Sequence, residues 1–413
     1  MARILFINRF YHPDEPATAQ LLGDLAQGLT AAGHDVWVIT SRTAGAACEE
    51  RHQGVTIQRV GPETRASHSL VSRAWSFFVF WCACGWRLVR IATPGDTLVP
   101  LTDPPLIGVI AALVGSLRRV RIIHWVQDIY PEVAQQLAPN AAVRALLGLA
   151  RPFRNWAWRQ AESCVTLGSD MAHQIARGGV SPSRISIVPN WPPAGVHERD
   201  GHAIRQERGL AGKFVVAYSG NLGRVHHLEA IPPVAERLKD HAGIVFTFTG
   251  GGARRAALES SLTARGAKAR FFPAEPRARL AESLGMGDLH WVTLKPGAED
   301  VVFPSKFAGV LAAGRPVIFV GNPDCELARI IRHEQVGYTF APEASDEIAA
   351  CILRLAQAPA EVEAAGRRAS SLARRYATLE QAILTWRRLL ESPTPGLLAS
   401  PSDAILSPSH VRT

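Results

Sequence analysis

Short apolar runs, each followed by a turn and then by a helical pattern, recur along this chain and restart halfway. They constrain its fold more than any other feature. The first run, from Arg3 to Asn8, suits a strand buried on both faces. A loop with Pro13 and Pro16 follows. Thr18 is placed to cap a helix carrying Leu21, Leu22, Leu25 and Leu29 at helical spacing, and Gly33 closes it. Residues 36–40 then read as a second strand, completing a βαβ unit. The pattern continues through strands at 97–101, 121–126, 163–167 and 185–188, with a helix from about Leu106.

It begins again near Lys213, with strands at 214–219, 244–249 and 316–320 separated by helices. Strands alternating with helices predict an α/β fold, a doubly wound parallel sheet in each half. The expected domains are residues 1–190 and 200–376, with a Pro-rich, then polar linker over 190–212. The Ser- and Pro-rich residues 392–413 are expected to be disordered. With 413 residues and 47% hydrophobic content, the chain has enough apolar mass for two cores.

Composition removes several function classes. The six cysteines form no C-x-x-C pair and no Cys/His cluster with zinc spacing, so no structural metal is expected and the thiols read as free in a reducing cytoplasm. The N-terminal MARILFINRFYHP lacks the apolar core of a signal peptide. No run of eighteen uncharged apolar residues suits a membrane span. The net charge of +9 fits nucleotides, anionic lipid or nucleic acid alike, but no nucleic-acid recognition motif accompanies it. No G-x-G-x-x-G follows the first strand, which argues against a dinucleotide-dependent dehydrogenase.

Of 45 basic residues only five are lysine, among them Lys295 and Lys306. Where arginine is the default cation, a lysine points to a site that needs a compact ammonium. Lys306 lies in FPSKFAGVLAAGRPVIFVG, where a loop turns into a helix. A cation there is repelled by the helix dipole unless an anion sits between them, which fits a diphosphate. A solvated surface lysine is the bland alternative. Gly220, Asn221, Gly223 and Arg224 follow a strand and read as the opening of a helix; Gly250, Gly251 and Gly252 follow the next strand. In open α/β sheets ligands bind at these carboxyl ends. Glycines there let backbone approach a phosphate, although they equally make a plain strand–helix turn.

Together PSK…LAAGRPVI, YSGNLG, FTGGG, VPNW and DPP…QDIYPE resemble family 4 of the retaining glycosyltransferases, in the bacterial branch that builds exopolysaccharide and O-antigen units, colanic-acid-type transferases included. The likeness spans about residues 2–390. It implies the GT-B fold: two Rossmann-like domains facing a cleft, with a last helix at about 377–391 crossing back onto the first. It implies a nucleotide-sugar donor, UDP-linked by preference, in the second domain. Lys306 and Arg224 are then the diphosphate clamp, and Gly220, Asn221, Gly223, Gly250, Gly251, Gly252, Ser305, Glu299 and Asp300 the donor contacts. The first domain is expected to bind an undecaprenyl-diphosphate-linked saccharide near Thr18, His124 and Gln127, with Asp128 orienting or deprotonating the acceptor hydroxyl. For Asp128 the structural alternative is an N-cap for a helix at 131–137. Transfer with retention and without metal or other cofactor is expected, since no Asp-x-Asp pair is placed for Mg²⁺. The sequence departs from the family at Gly309, where a ribose-binding glutamate is common, and in the first loop, where Pro13, Asp14 and Pro16 replace glycines. A UDP-HexNAc 2-epimerase shares the fold and a non-catalytic nucleotide-sugar-binding protein fits the loss at Gly309; both remain open on sequence.

The stretch SLVSRAWSFFVFWCACGWRLVRI, from Ser69 to Ile91, has aromatics all round a helix, and Arg73, Arg87 and Arg90 fall within about 100° of arc. It is expected to dock on the inner face of the membrane without crossing it; a buried core helix is the alternative.

Overall fold

The computed structural model describes residues 3–14, 16–63, 70–198 and 201–391. The expected tail at 392–413 and Ser69 lie outside the described residues. Two compact units emerge: one from the first 189 residues together with the helix Leu379–Glu391, the other from Asn190–Thr378.

The first unit carries eight strands: β1 (Arg3–Ile7), β2 (Asp35–Arg42), β3 (Glu49–His52), β4 (Val55–Glu63), β5 (Thr97–Pro100), β6 (Arg121–Trp125), β7 (Ser163–Thr166) and β8 (Ile185–Ile187). Their spatial order is β3-β4-β2-β1-β5-β6-β7-β8. All neighbours run parallel except β3, which pairs antiparallel with β4 at the edge. The β3–β4 hairpin was not anticipated. Its turn is Gln53-Gly54, both at positive φ, the geometry of a two-residue hairpin turn. The strands are apolar on both faces because helices cover both, so Leu5, Phe6 and Ile7 are fully buried.

The helix Leu379–Glu391 completes this unit. Trp386, fully buried, stands edge-on to Phe6 at 6.0 Å and Trp125 at 5.3 Å. The helix Ala17–Ala31 meets it closely at Gly28, where a Cβ would lie 2.2 Å from the Ile383 side chain. Arg121 bonds the Leu390 carbonyl at 2.7 Å while pairing with Glu162, so a cation caps the helix's negative end.

The second unit has six parallel strands: β9 (Phe214–Ser219), β10 (Ile244–Thr249), β11 (Ala269–Phe272), β12 (Leu289–Thr293), β13 (Val317–Val320) and β14 (Gly337–Phe340), ordered β11-β10-β9-β12-β13-β14. Counted within the unit this is 3-2-1-4-5-6, the Rossmann order, whose strand direction of travel reverses between β9 and β12.

Three local readings need correction. Residues 190–212 are not a plain linker: Trp191 and Val196 are buried, and the helix His202–Glu207 packs Ile204, with Leu210, against Val215 and Met286. Their apolar side chains had been outweighed by the prolines. Thr18 does not cap the first helix, which starts at Ala17 after Pro16; the proline's fixed φ suits that position. The helix after the Gly220 loop does not open at Gly223. An eight-residue loop and a short 3₁₀ turn intervene between β9 and Ile231–Arg237, because His226 and Leu228 are drawn into the interior first.

Candidate active site

The loops that follow β9 and β12 meet at the switch point of the second sheet. Lys295 N–H donates to the Val225 carbonyl at 2.9 Å, and the His226 imidazole bonds the Thr293 carbonyl at 2.8 Å. The two glycine turns are also zipped together: Leu222 N–H donates to the Gly251 carbonyl at 2.7 Å. A Cβ on Gly250 would lie 2.4 Å from the Gly220 carbonyl oxygen, and one on Gly252 would lie 2.4 Å from the Asn221 side chain. These glycines therefore serve the approach of one loop to the other.

Lys306 is the first residue of the helix Lys306–Ala312, which is only seven residues long. Its ammonium is not at the surface. Nζ is shielded from solvent, has no hydrogen-bond partner among the described residues, and lies 3.5 Å from the centre of the Tyr218 ring. A Cβ on Gly220 would touch its Cε at 3.7 Å. Burial holds its pKa well below the usual lysine value. His226 is buried and neutral, its pKa lowered to about 3 by burial first and then by Lys306. Because a carbonyl only accepts, the proton of His226 sits on Nδ1. Tyr218 itself bonds the Asn221 carbonyl through its hydroxyl at 2.9 Å. The sequence reading missed Tyr218 and His226. The signal was present, an aromatic residue next to the end of the aliphatic strand FVVAYS.

The corresponding switch point of the first sheet lies between β1 and β5. The Arg9 guanidinium, from the loop after β1, pairs with Asp103, from the loop after β5, at 3.0 Å. Arg9 also lies over the rings of Phe10 and Phe77, at 4.4 and 4.8 Å from their centres. Asp128 follows β6, and its N–H donates to the Thr102 hydroxyl. Burial and then Asp103 push the Asp128 carboxyl up to about 6. Asp103 is raised too, burial outweighing Arg9 and Arg73. Asp128 is not a helix cap; the short helix Glu132–Gln136 is preceded by Pro131, and Arg154 holds that turn through the Tyr130 carbonyl and Glu132. Behind Asp128 a cavity of about 30 Å³ is lined also by Thr102, His124 and Tyr130. His124 is buried against Gly108, with its pKa lowered to about 4 by burial, and its Nε2 has no partner among the described residues. Gln127 is buried beside it.

Other expected residues stand apart from these clusters. Arg224 is exposed on its loop and has no ion-pair partner among the described residues, and Ser305 is exposed without capping its helix. Glu299 is buried and accepts the Asn322 N–H at 2.9 Å, pinning the loop after β13; Asp300 is half-buried and engaged. Gly309 is buried, and a Cβ there would meet Leu284 at 3.4 Å and Pro193 at 3.8 Å, so this position faces packed apolar atoms. The helix Leu70–Ile91 is neither buried all round nor free. Phe80, Cys84 and Leu88 enter the core, while Trp75, Phe78 and Trp86 are 66%, 50% and 61% exposed. Arg87 is turned onto Gln58 and Glu49, leaving Arg73 and Arg90 on the exposed side. Among the described residues no helix is long and apolar enough to cross a membrane.

Two α/β domains, each with loops converging at the switch point of its parallel sheet, have the GT-B fold of glycosyltransferases, and comparison with known proteins gives the class. The family described as glycosyl transferase 4-like domain matches residues 18–191, and glycosyl transferases group 1 matches residues 213–358. The chain is 28% identical over 357 residues to the putative colanic acid biosynthesis glycosyl transferase WcaI of Escherichia coli K12, covering 79% of this chain and 85% of that one. Among solved structures it resembles sucrose-phosphate synthase from Thermosynechococcus elongatus, at a TM-score of 0.74 and 16% identity over 95% of this chain and 98% of that one. It also resembles Anabaena HepE in complex with UDP and glucose, at 0.71 and 13% over 95% and 100%. The chain belongs to glycosyltransferase family 4, in the branch that makes bacterial surface polysaccharides. It is a transferase, and the epimerase and non-catalytic alternatives give way.

Proposed function

We propose that the chain moves a sugar from a UDP-linked donor to an undecaprenyl-diphosphate-linked saccharide, with retention of configuration and without a metal. The observation that carries this reading is the buried, partnerless ammonium of Lys306 at the switch point of the second sheet. A cation held out of water with no carboxylate beside it is stabilised by an incoming anion. A nucleoside diphosphate is an anion of suitable charge, and the HepE structures hold UDP and UDP-glucose.

In the reaction an acceptor oxygen forms a bond to the sugar C1 while the C1–O bond to the diphosphate breaks. The bonding pair passes to the leaving phosphate oxygen, where Lys306 meets the growing charge. Arg224, the exposed cation of the Gly220 loop, adds a second and weaker contact. Asp128 takes the acceptor's hydroxyl proton; a carboxyl titrating near 6 is ionised at neutral pH and still basic. The exposed aromatics of Leu70–Ile91, with Arg73 and Arg90, dock the enzyme peripherally on the cytoplasmic face of the inner membrane, where the lipid-linked acceptor lies.

Thermal melting with UDP, GDP, dTDP and NAD, with Lys306→Ala alongside, tests the donor site. A nucleotide present at about 100 times its Kd raises stability by ~2.7 kcal/mol. We expect a shift selective for UDP that Lys306→Ala removes. An equal shift in the variant would reject Lys306 as the clamp. For docking, the wild type should sediment with vesicles containing phosphatidylglycerol and the Trp75→Ser/Trp86→Ser double variant should not; equal sedimentation would reject the surface.

A further inference from the structure

We infer that Tyr218 is the positioning residue of the donor site: its ring face holds the Lys306 ammonium ready in the empty site, and its hydroxyl fixes the glycine loop beside it. This rests on the reading of Lys306 as the diphosphate clamp.

Tyr218 sits in β9, beside the reversal point of the sheet, and is almost fully buried. Its ring centre lies 3.5 Å from Lys306 Nζ, and its hydroxyl donates to the Asn221 carbonyl at 2.9 Å. One side chain therefore holds the cation and one edge of the glycine loop. The choice of an aromatic partner has a physical reason. A buried ammonium needs something to offset its lost hydration. A carboxylate would do so, but it would also neutralise the charge and repel the phosphates that the site must attract. A ring face attracts a cation through its quadrupole and carries no net charge. The ammonium stays in place and its field stays available to an anion.

The groups around Lys306 agree with this. His226, from the loop after β9, and His290, in β12, both interact electrostatically with Lys306; each is buried and neutral, with pKa values lowered to about 3 and about 4. Arg315 acts on His290 as well. No carboxylate contributes to the shift of Lys306, which burial alone drives. The ring of Tyr218 is thus the one stabilising contact of the ammonium among the described residues, and it also favours the protonated form.

The experiment measures UDP affinity by titration calorimetry between pH 6 and 10 in the full chain, for wild type, Tyr218→Phe, Tyr218→Leu and Lys306→Ala. Calorimetry in two buffers of different ionisation enthalpy counts the protons taken up. Tyr218→Phe keeps the ring face, so the pH above which affinity falls should match wild type, with affinity lowered only a few-fold by the loosened loop. Tyr218→Leu loses the face. Protonated Lys306 is then less favoured, so the fall in affinity should move to lower pH, and affinity at pH 8 should drop about tenfold or more. Proton uptake at pH 8 should rise in Tyr218→Leu and vanish in Lys306→Ala. If Tyr218→Leu keeps the wild-type pH dependence, the positioning role is overturned while the clamp stands. If Lys306→Ala binds UDP as wild type does, the clamp reading fails and takes this inference with it. Thermal melting of each variant separates misfolding from these outcomes, and Tyr218→Phe, which preserves the packing, decides the matter if Tyr218→Leu does not fold: a pH profile displaced in Tyr218→Phe would overturn the inference.

Discussion

The switch points of the two sheets solve opposite problems with the same architecture. In the first unit, loops after β1, β5 and β6 bring together two carboxylates, Asp103 and Asp128, with the Arg9 guanidinium bonded to Asp103 and Arg73 acting on Asp103 from the helix Leu70–Ile91. Negative charge is crowded there, and the Asp128 carboxyl is pushed up to about 6. In the second unit, strands β9 and β12 and the loop after β9 surround one ammonium with neutral groups: the Tyr218 ring, His290 and His226. Positive charge is isolated there, and the lysine is pushed down. On the proposed reading, one site accepts a proton and the other an anion. The Rossmann framework supplies the place, and the charge of a few loop residues decides what the place does.

This comparison can be broken most severely at its chemistry. Lys306→Ala should lower sugar transfer at least ~100-fold, the scale for removing one preorganised charge; near-normal turnover in a folded variant would refute the role of the ammonium. Asp128→Asn should lower kcat/KM by about 10²–10⁴-fold, the range for a lost general base. In the wild type kcat/KM should fall as pH drops below about 6, where Asp128 protonates, and this limb should be missing in the variant. A pH profile flat down to 5 would exclude Asp128 as the base.

Stability should sharpen the contrast, because each site stores a charge that folding disfavours. The folded pKa of Asp128 is raised, so its cost is present above about 6 and absent below the unfolded value of 3.8. Asp128→Asn should therefore stabilise the protein by about 3 kcal/mol at pH 8 and not at pH 3.5. The folded pKa of Lys306 is depressed, so its cost is present at neutral pH and absent above 10.5. Lys306→Met should stabilise at pH 7, with the gain fading as the pH approaches 10.5. Chemical denaturation of the two variants across pH checks the pair; gains that fade in the same direction would contradict the opposition. The smallest effect is expected at the exposed Arg224, where alanine should raise the donor KM by about tenfold or less.

Most of the strands were legible because parallel strands buried on both faces read as short apolar runs, and β1, β6 and β9 form where such runs occur. The hairpin β3–β4 was not, since EERH carries no apolar pattern and an edge strand needs none. Lys306 was legible from its rarity, but the reason given for it was incomplete. A helix of seven residues offers little dipole, and what surrounds the ammonium is an aromatic ring brought from 88 positions earlier in the chain. Long-range juxtapositions of this kind leave no local spacing to read. The same holds for Asp103, whose effect on Asp128 depends on two loops meeting.

The burial of Trp386 among Phe6 and Trp125 also orders events in time. Strands β1 and β6 leave the ribosome early, but the indole that fills the space between their side chains is made only after the whole of Asn190–Thr378. At the ~5–20 residues per second of synthesis, that delay is roughly 10–40 s. Only at its end does the second sheet have all its strands and become able to close, while the first still lacks the side chain that packs on Phe6 and Trp125. The half of the chain made first is thus the half finished last, and a nascent chain halted before Leu379 would carry a folded second unit behind an incomplete first one.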